Sequence, residues 1–308
     1  MKSMGIGQAH GKVIWMGEHA VVYGYKAMAI PLRSALVKAT IKPSDETMIY
    51  SQVYQGHIDQ ANDDIYPIAV LIKKLMQQFE NYGVTITIES QLPNDAGLGS
   101  SAATASAITA AFYDLYETKL TQDIRFDWIQ LSETIAHNNP SGIDALITML
   151  DTPIIYSKGN DPKPIWLNLD AYLVIGFSGI KGQTKKAVLS IAKTYEQAET
   201  KKHIDALGKH AEHVISYVGK ERLDEIGMHM VMAHEHLKAL GVSIQPMDDM
   251  IDQAMSLGAI GAKLTGGGLG GCVIALAEDL KKAQMIQTAW ASMTQKETWI
   301  LDLSKRKL

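Results

Sequence analysis

"PNDAGLGSSAATASAITAAF", residues 93–112, is the stretch on which the reading of this chain turns. Gly97 and Gly99 flank Leu98, two serines follow, and small or apolar residues then run without a charge to Phe112. Glycine allows backbone angles that a side chain forbids, and it lets amide N–H groups come close to a ligand. A helix that begins at Ser100 or Ser101 adds unpaired N–H groups and the positive end of its dipole, which together favour an anion. Ala102, Ala103, Ala105 and Ala107 keep that helix slim enough to pack closely. The stretch therefore reads as a phosphate cradle opening a helix, with either serine hydroxyl suited to a nucleotide-borne Mg²⁺. The same residues also make a plain serine-capped helix start.

The cradle is not a Walker A loop, since G-x-x-x-x-G-K-[ST] is absent from the chain. A second glycine run, "KLTGGGLGGC" (263–272), contains G-x-G-x-x-G at Gly266, Gly268 and Gly271. A dinucleotide fingerprint needs a helix next, whereas "CVIALA" reads as a strand. Five glycines in six positions exceed what a hairpin requires. The surplus points to close backbone approach, either to a ligand or to the first loop.

Around these loops the periodicities alternate. "KVIWM", "YKAMAI", "ALVKATI" and "TMIYSQVY" read as strands, 65–83 as a helix, and "VTITIES" (84–90) as a half-buried strand. The cradle helix is expected to reach about Tyr116, with shorter helices at 127–137 and 142–150 on either side of "HNNPSG". "PIIYS", "KPIWLNL" and "AYLVIGFS" return to strands before helical patterns fill most of 183–257. A strand pair around the second glycine run, a helix at 279–293, a strand at 297–303 and a frayed "KRKL" tail complete the reading. Runs of strands followed by runs of helices predict an α+β protein rather than a doubly wound sheet. The boundary is placed near 155–180, dividing 1–170 from 171–308.

Bulk properties narrow the function. The chain has 308 residues, 46% hydrophobic and 20% charged, which is ordinary for a folded protein long enough for two domains. Its net charge of −4 gives no basic field for nucleic acid. A lone cysteine, Cys272, excludes an intramolecular disulfide and a cysteine metal cluster, in keeping with a reducing compartment. No apolar run approaches the roughly 20 residues of a membrane span, and no export signal is seen at the N-terminus. A cytoplasmic protein with no membrane or nucleic-acid partner is expected, and a homodimer is compatible with this composition.

Two further segments carry chemistry. "HGKVIWMGEHAVVYG" (10–24) sets Lys12 at a strand start and Glu18 and His19 in a Gly-flanked turn. "SETIAHNNPSGIDA" (132–145) sets Glu133 on a helix and Asp144 just after a Pro-Ser-Gly turn. Taken alone, Asp144 reads equally as a helix cap and Lys12 as a solvated strand end.

These motifs, in this order and spanning residues 10 to 272, resemble those of the GHMP small-molecule kinases. "GEHAVVYG" together with "NPSGID" is similar to the mevalonate-phosphorylating branch. Departures are small: Leu269 interrupts a loop that is often all glycine, and Asn138 stands where glycine is frequent. The resemblance implies a two-domain α+β fold, an N-terminal ribosomal-protein-S5-like domain and a C-terminal ferredoxin-like one, with the active site in the cleft between them. It implies ATP and Mg²⁺, mevalonate as the small-molecule acceptor, and 5-phosphomevalonate as product. It assigns Asp144 as base or orienting group beside the acceptor hydroxyl and Lys12 as its cationic neighbour. It assigns Pro93, Ala96, Gly97, Leu98, Gly99, Ser100, Ser101 and Ala102 to the nucleotide phosphates, and Ser101 with Glu133 to Mg²⁺. The acceptor pocket is expected to draw on Lys12, Glu18, His19, Asp144, Thr184, Gly267 and Gly268. The alternatives are another acceptor within the superfamily (phosphomevalonate, homoserine or a sugar) and a non-catalytic ligand sensor on the same fold. Intact Lys12, Glu133 and Asp144 weigh against the sensor.

Six histidines fall between 203 and 236. "AHEHL" lacks metal-binding H-E-x-x-H spacing, so a solvated helical region is expected there.

Overall fold

The computed structural model describes residues 1–80, 83–137 and 142–304. "NNPS" (138–141), which includes Asn138, and the "KRKL" tail lie outside the described residues. The chain packs as two compact units, Met1–Gly11, Ala35–Leu92 and Gly99–Leu150 forming the first and Lys12–Ser34, Pro93–Leu98 and Asp151–Leu308 the second. Strands β1 (Gly5–Met16) and β2 (Ala27–Pro43) each contribute residues to both units.

In the first unit, β3 (Met48–Tyr50) and β4 (Gln55–His57) form a short hairpin, followed by α1 (Tyr66–Gln78), β5 (Val84–Ser90), α2 (Ser100–Leu115), α3 (Gln122–His137) and α4 (Ile143–Ile147). The strand order there is β4-β3-β5-β2, with β5 antiparallel to Val37–Pro43 of β2 and parallel to β3. β5 buries Val84, Ile86 and Ile88 on one face, as its alternation predicts. α1 turns Ile68, Leu71, Ile72 and Leu75 inward, the spacing of one helical face. α2 is buried along most of its length because its residues are small. A Cβ at Gly7 of β1 would stand 2.0 Å from the Ala107 carbonyl, so strand and helix meet backbone to backbone.

The second unit continues with β6 (Ile154–Tyr156), β7 (Lys163–Pro164), β8 (Tyr172–Phe177), α5 (Thr184–Thr194), α6 (Ala198–Tyr217), α7 (Leu223–Ala239) and α8 (Gln245–Ser256). It ends with β9 (Gly261–Thr265), β10 (Cys272–Ala277), α9 (Leu280–Thr294) and β11 (Thr298–Asp302). Its four-stranded antiparallel sheet runs β11-β8-β10-β9. Numbered along the chain that order is 4-1-3-2, with helices after the first and third strands, which is the ferredoxin-like β-α-β-β-α-β arrangement. Gly176 of β8 makes room for the Trp290 ring, 2.5 Å from where its Cβ would be, and the indole N–H donates to the Met250 carbonyl at 2.8 Å. Deleting so fully buried a ring costs about 3–5 kcal/mol.

Four local readings change. "YKAMAI" and "ALVKATI" belong to one strand, because Pro31 falls between the stretch paired with β6 and the stretch paired with β5. "TMIYSQVY" does not run through as a strand. The Ser51 hydroxyl accepts from the Val53 and Tyr54 amides and turns the chain. "KPIWLNL" pairs only at Lys163–Pro164, with Trp166 exposed and Asn168 at φ 48. The histidines of 203–236 are only in part a solvated face: His213 is exposed, His203, His210 and His236 are half-buried, and His229 and His234 are buried. His203 meets His236 and His210 meets His229, Nδ1 to Nδ1 at 2.8 Å in each pair, and His213 stacks on His229 at 4.8 Å. α6 and α7 lie against each other along this row.

Candidate active site

In the second unit the sequence-predicted residues converge. Lys12 lies on β1, only 4% exposed, with its amide donating to the Leu98 carbonyl at 2.9 Å. Two residues on, the Ile14 carbonyl accepts from the Thr265 hydroxyl at 2.7 Å, which ties β1 to β9 at the threshold of the glycine run. β1 then ends in the turn Gly17-Glu18-His19. A Cβ on Gly17 would meet the Lys26 carbonyl at 2.4 Å, and His19 itself takes φ 59, a left-handed conformation that non-glycine residues seldom adopt.

Two contacts hold that turn. The His19 imidazole donates from Nε2 to the Gly267 carbonyl at 3.0 Å, since a carbonyl only accepts, and this fixes the Nε2–H tautomer. Burial pushes the His19 pKa down to about 4, so the ring is neutral near pH 7. The Glu18 carboxylate meets Lys263 of β9, whose ammonium also donates to the Leu264 carbonyl at 2.7 Å. Both side chains are sealed, Lys263 at 0% and Glu18 at 1% exposure. Burial raises the Glu18 carboxyl and lowers the Lys263 ammonium, and their mutual contact opposes both shifts. Lys263 was missed in the sequence. Its signal was a single cation in an otherwise apolar strand, "GAKLT", that is buried at every position.

The run 266–271 is held by backbone. Gly266, Gly268, Leu269, Gly270 and Gly271 all have positive φ, which explains four of the five glycines. The fifth, Gly267, has no room for a side chain: its Cβ would lie 2.3 Å from the Thr184 hydroxyl. Thr184 is the first residue of α5, whose cap is Gln183, so its hydroxyl packs on the loop rather than capping the helix. Leu269 keeps the left-handed conformation at φ 54 and donates its amide to the Val242 carbonyl at 2.7 Å. The Gln183 amide donates to the Gly268 carbonyl at 3.2 Å, and the Gly271 amide to that of Ile180 at 2.8 Å.

The first loop joins this assembly. A Cβ on Gly266 would be 3.5 Å from the Gly97 carbonyl, and one on Gly271 3.0 Å from that of Ala96. The Asp95 carbonyl accepts from the Gly182 amide at 2.7 Å. The surplus glycine therefore serves loop-to-loop approach, with Pro93–Leu98, 179–183 and 266–271 packed backbone against backbone. Cys272 begins β10 in full burial, which pushes its thiol well up and leaves it an inert core residue.

The remaining predicted residues lie in the first unit. Gly99 caps α2 at φ 74, Ser100 and Ser101 form the first turn, and Ala102 is buried beneath them. The first-turn amides thus face out of a helix start that carries no side-chain cap, the anion-favouring end of the dipole. Glu133, 3% exposed, sits on α3, the helix that packs along α2. Asp144 lies in the first turn of α4, after Gly142 at φ 80, and the Thr148 hydroxyl and amide both donate to its carbonyl. Ser101 and Glu133 offer hydroxyl and carboxylate oxygens, the hard donors Mg²⁺ prefers. No trio of His, Cys, Asp or Glu side chains suited to a metal occurs among the described residues, and a nucleotide-borne Mg²⁺ needs only one or two protein oxygens.

Family models match two segments: the GHMP kinases N terminal domain at residues 66–151 and the GHMP kinases C terminal at residues 214–295. The mevalonate kinase of Pyrococcus furiosus is 31% identical over 306 residues, covering 90% of each chain. Among solved structures, the mevalonate kinase of methicillin-resistant Staphylococcus aureus superposes with a TM-score of 0.76 at 28% identity, over 99% of this chain and 100% of that one. The L. major mevalonate kinase in complex with R-mevalonate shares the fold, with a TM-score of 0.80 at 24% identity over 98% and 96% of the two chains.

Proposed function

Because this chain belongs to the GHMP kinases, we propose that it transfers the γ-phosphoryl group of ATP to the C5 hydroxyl of (R)-mevalonate, releasing ADP and 5-phosphomevalonate. The observation that carries the choice of acceptor is the match to mevalonate kinases at about 30% identity across nine-tenths of both chains. The ordered loops of the second unit support it, since phosphoryl transfer depends on positioning and charge neutralisation more than on covalent chemistry.

Each residue then has a task. Asp144 accepts or orients the proton of the acceptor hydroxyl, a role typically worth about 10²–10⁴-fold in rate. Lys12 offsets negative charge on the transferring phosphoryl oxygens. Gly97, Leu98, Gly99, Ser100 and Ser101, with Pro93, Ala96 and Ala102 shaping the loop, receive the nucleotide phosphates on backbone N–H groups. Ser101 and Glu133 hold Mg²⁺, which when bound neutralises phosphate charge. On the acceptor side, neutral His19 and the Gly267–Gly268 backbone line the pocket beside Thr184, and Glu18 acts from below through Lys263. Transfer breaks the bond between the γ-phosphorus and the bridging oxygen, forms one to the C5 oxygen, and leaves the hydroxyl proton with Asp144. Among the described residues no helix is long and apolar enough to cross a membrane. The buried, unpaired cysteine accords with a cytoplasmic setting.

The test is kcat/KM for ADP release from Mg·ATP across mevalonate, 5-phosphomevalonate, homoserine and galactose. The reading requires mevalonate to lead by orders of magnitude. A preference for any other acceptor would overturn it while leaving the family intact.

A further inference from the structure

A part-buried polar cluster behind the glycine run has no part in the chemistry above. Asp248, in the first turn of α8, accepts at Oδ1 from the Ser243 hydroxyl at 2.5 Å and from His234 Nε2 at 3.1 Å. Lys238 stands 3.6 Å from its other oxygen. His234 is only 4% exposed, its Nδ1 has no partner among the described residues, and burial lowers its pKa, so it sits as the neutral Nε2–H tautomer. Ser243 and His234 thus both spend their polarity on one oxygen of a carboxylate that is only 15% exposed, at a place where apolar residues would pack at less cost.

What the cluster fixes is the turn between α7 and α8. Val242 is next to Ser243 and is buried, with its amide on the Leu237 carbonyl at 3.2 Å. The Val242 carbonyl is the acceptor for the Leu269 amide at 2.7 Å, and it lies 2.3 Å from where a Cβ on Gly268 would be. Leu269 is the one non-glycine residue of the run with left-handed angles, a conformation costing about 1–2 kcal/mol that must be held from outside. On the other side of this short segment, the Gly267 carbonyl receives His19.

We propose that Asp248 is a positioning residue for the acceptor loop: through Ser243 and His234 it sets the Val242 carbonyl, and that carbonyl pins Leu269 and Gly268 so that Gly267 meets His19. Its importance for turnover rests on the reading of Gly267 and Gly268 as acceptor-pocket backbone. The pinning itself does not.

Two measurements separate these. In D248A, hydrogen exchange at the Leu269 amide should quicken by about tenfold or more, while the Ile274 amide in the centre of β10 keeps its rate. With mevalonate, KM should rise by about fivefold or more with kcat little changed, because loosening the loop weakens binding rather than transfer. D248N, whose amide oxygen still accepts from Ser243 and His234, should restore both readouts, and S243A should move both in the direction of D248A. Unchanged Leu269 exchange in D248A and S243A would overturn the proposal. So would a drop in kcat with KM unchanged, the mark of a smaller folded fraction, or a D248N variant as impaired as D248A. If the wild-type chain does not phosphorylate mevalonate, the functional reading falls and the exchange measurement alone decides the pinning.

Discussion

Replacing Lys263 by Met removes one partner of a sealed ion pair and keeps most of its volume. The Glu18 carboxylate, 1% exposed, is then left without its cation. Breaking a buried pair from one side costs about 3–5 kcal/mol when the remaining charge stays. Glu18 has a cheaper route, which is to bind a proton. From an ordinary carboxyl pKa of 4.5, holding that proton at pH 7 costs about 3 kcal/mol, at about 1.36 kcal/mol per pH unit, and at pH 5 it costs less than about 1 kcal/mol. The folded variant then binds one proton more than its unfolded chain, so its stability falls as pH rises above the unfolded pKa. In the wild type the Lys263 ammonium opposes the rise that burial imposes on the Glu18 carboxyl, a restraint that K263M removes.

The K263M deficit should therefore be about 3 kcal/mol at pH 7 and shrink by about 2 kcal/mol or more at pH 5. E18Q/K263M, with no charge to strand, should recover most of it. Urea unfolding followed by tryptophan emission reads the second unit, which holds Trp15, Trp166, Trp290 and Trp299 of the five tryptophans. A deficit equal at both pH values, or a double variant as weak as K263M, would refute the reasoning.

Further outcomes follow from the same geometry. Asp144→Asn should lower kcat by about 10²-fold or more with ATP affinity nearly unchanged, measured by steady-state kinetics beside nucleotide titration; near-normal kcat would remove Asp144 from proton handling. Ser101→Ala should shift the Mg²⁺ activation curve to higher concentration at saturating ATP, and an unshifted curve would place that oxygen elsewhere. Acid should destabilise the second unit before the carboxylates titrate. His19 and His210 have folded pKa values pushed down to about 4, first by burial, from 6.5. A depressed histidine contributes stability that is present above pH 6.5 and lost as pH falls toward 4, worth up to about 3 kcal/mol for fully buried His19. A thermal midpoint that stays level from pH 7 to pH 4.5 would contradict this.

Much of this architecture was legible where one physical signal acts alone. "VTITIES" and "CVIALA" give β5 and β10 at their full extents, because a period of two and a fully apolar run each have one structural outcome. The glycine count in 266–271 announced backbone contact, and the loops do meet. The misreadings arose where a tertiary partner outweighs local composition. Pro31 did not split β2, because the two halves of that strand have different neighbours. The β-prone "SQVY" turns on a serine hydroxyl. The histidines read as polar surface, yet an imidazole that shares one N–H with another can be buried between helices without charge. Lys263, marked only as a lone cation in an apolar strand, and Asp248 were passed over for a related reason, since a charged residue shows its importance through the atom it meets 245 or 5 positions away.

Mevalonate phosphorylation is tested most directly by following the label from γ-³²P-ATP with purified protein, Mg²⁺ and (R)-mevalonate. Label should appear in 5-phosphomevalonate, formed in step with ADP and almost absent with Asp144→Asn. Label that stays in ATP, or that reaches only inorganic phosphate while ATP is bound, would contradict it.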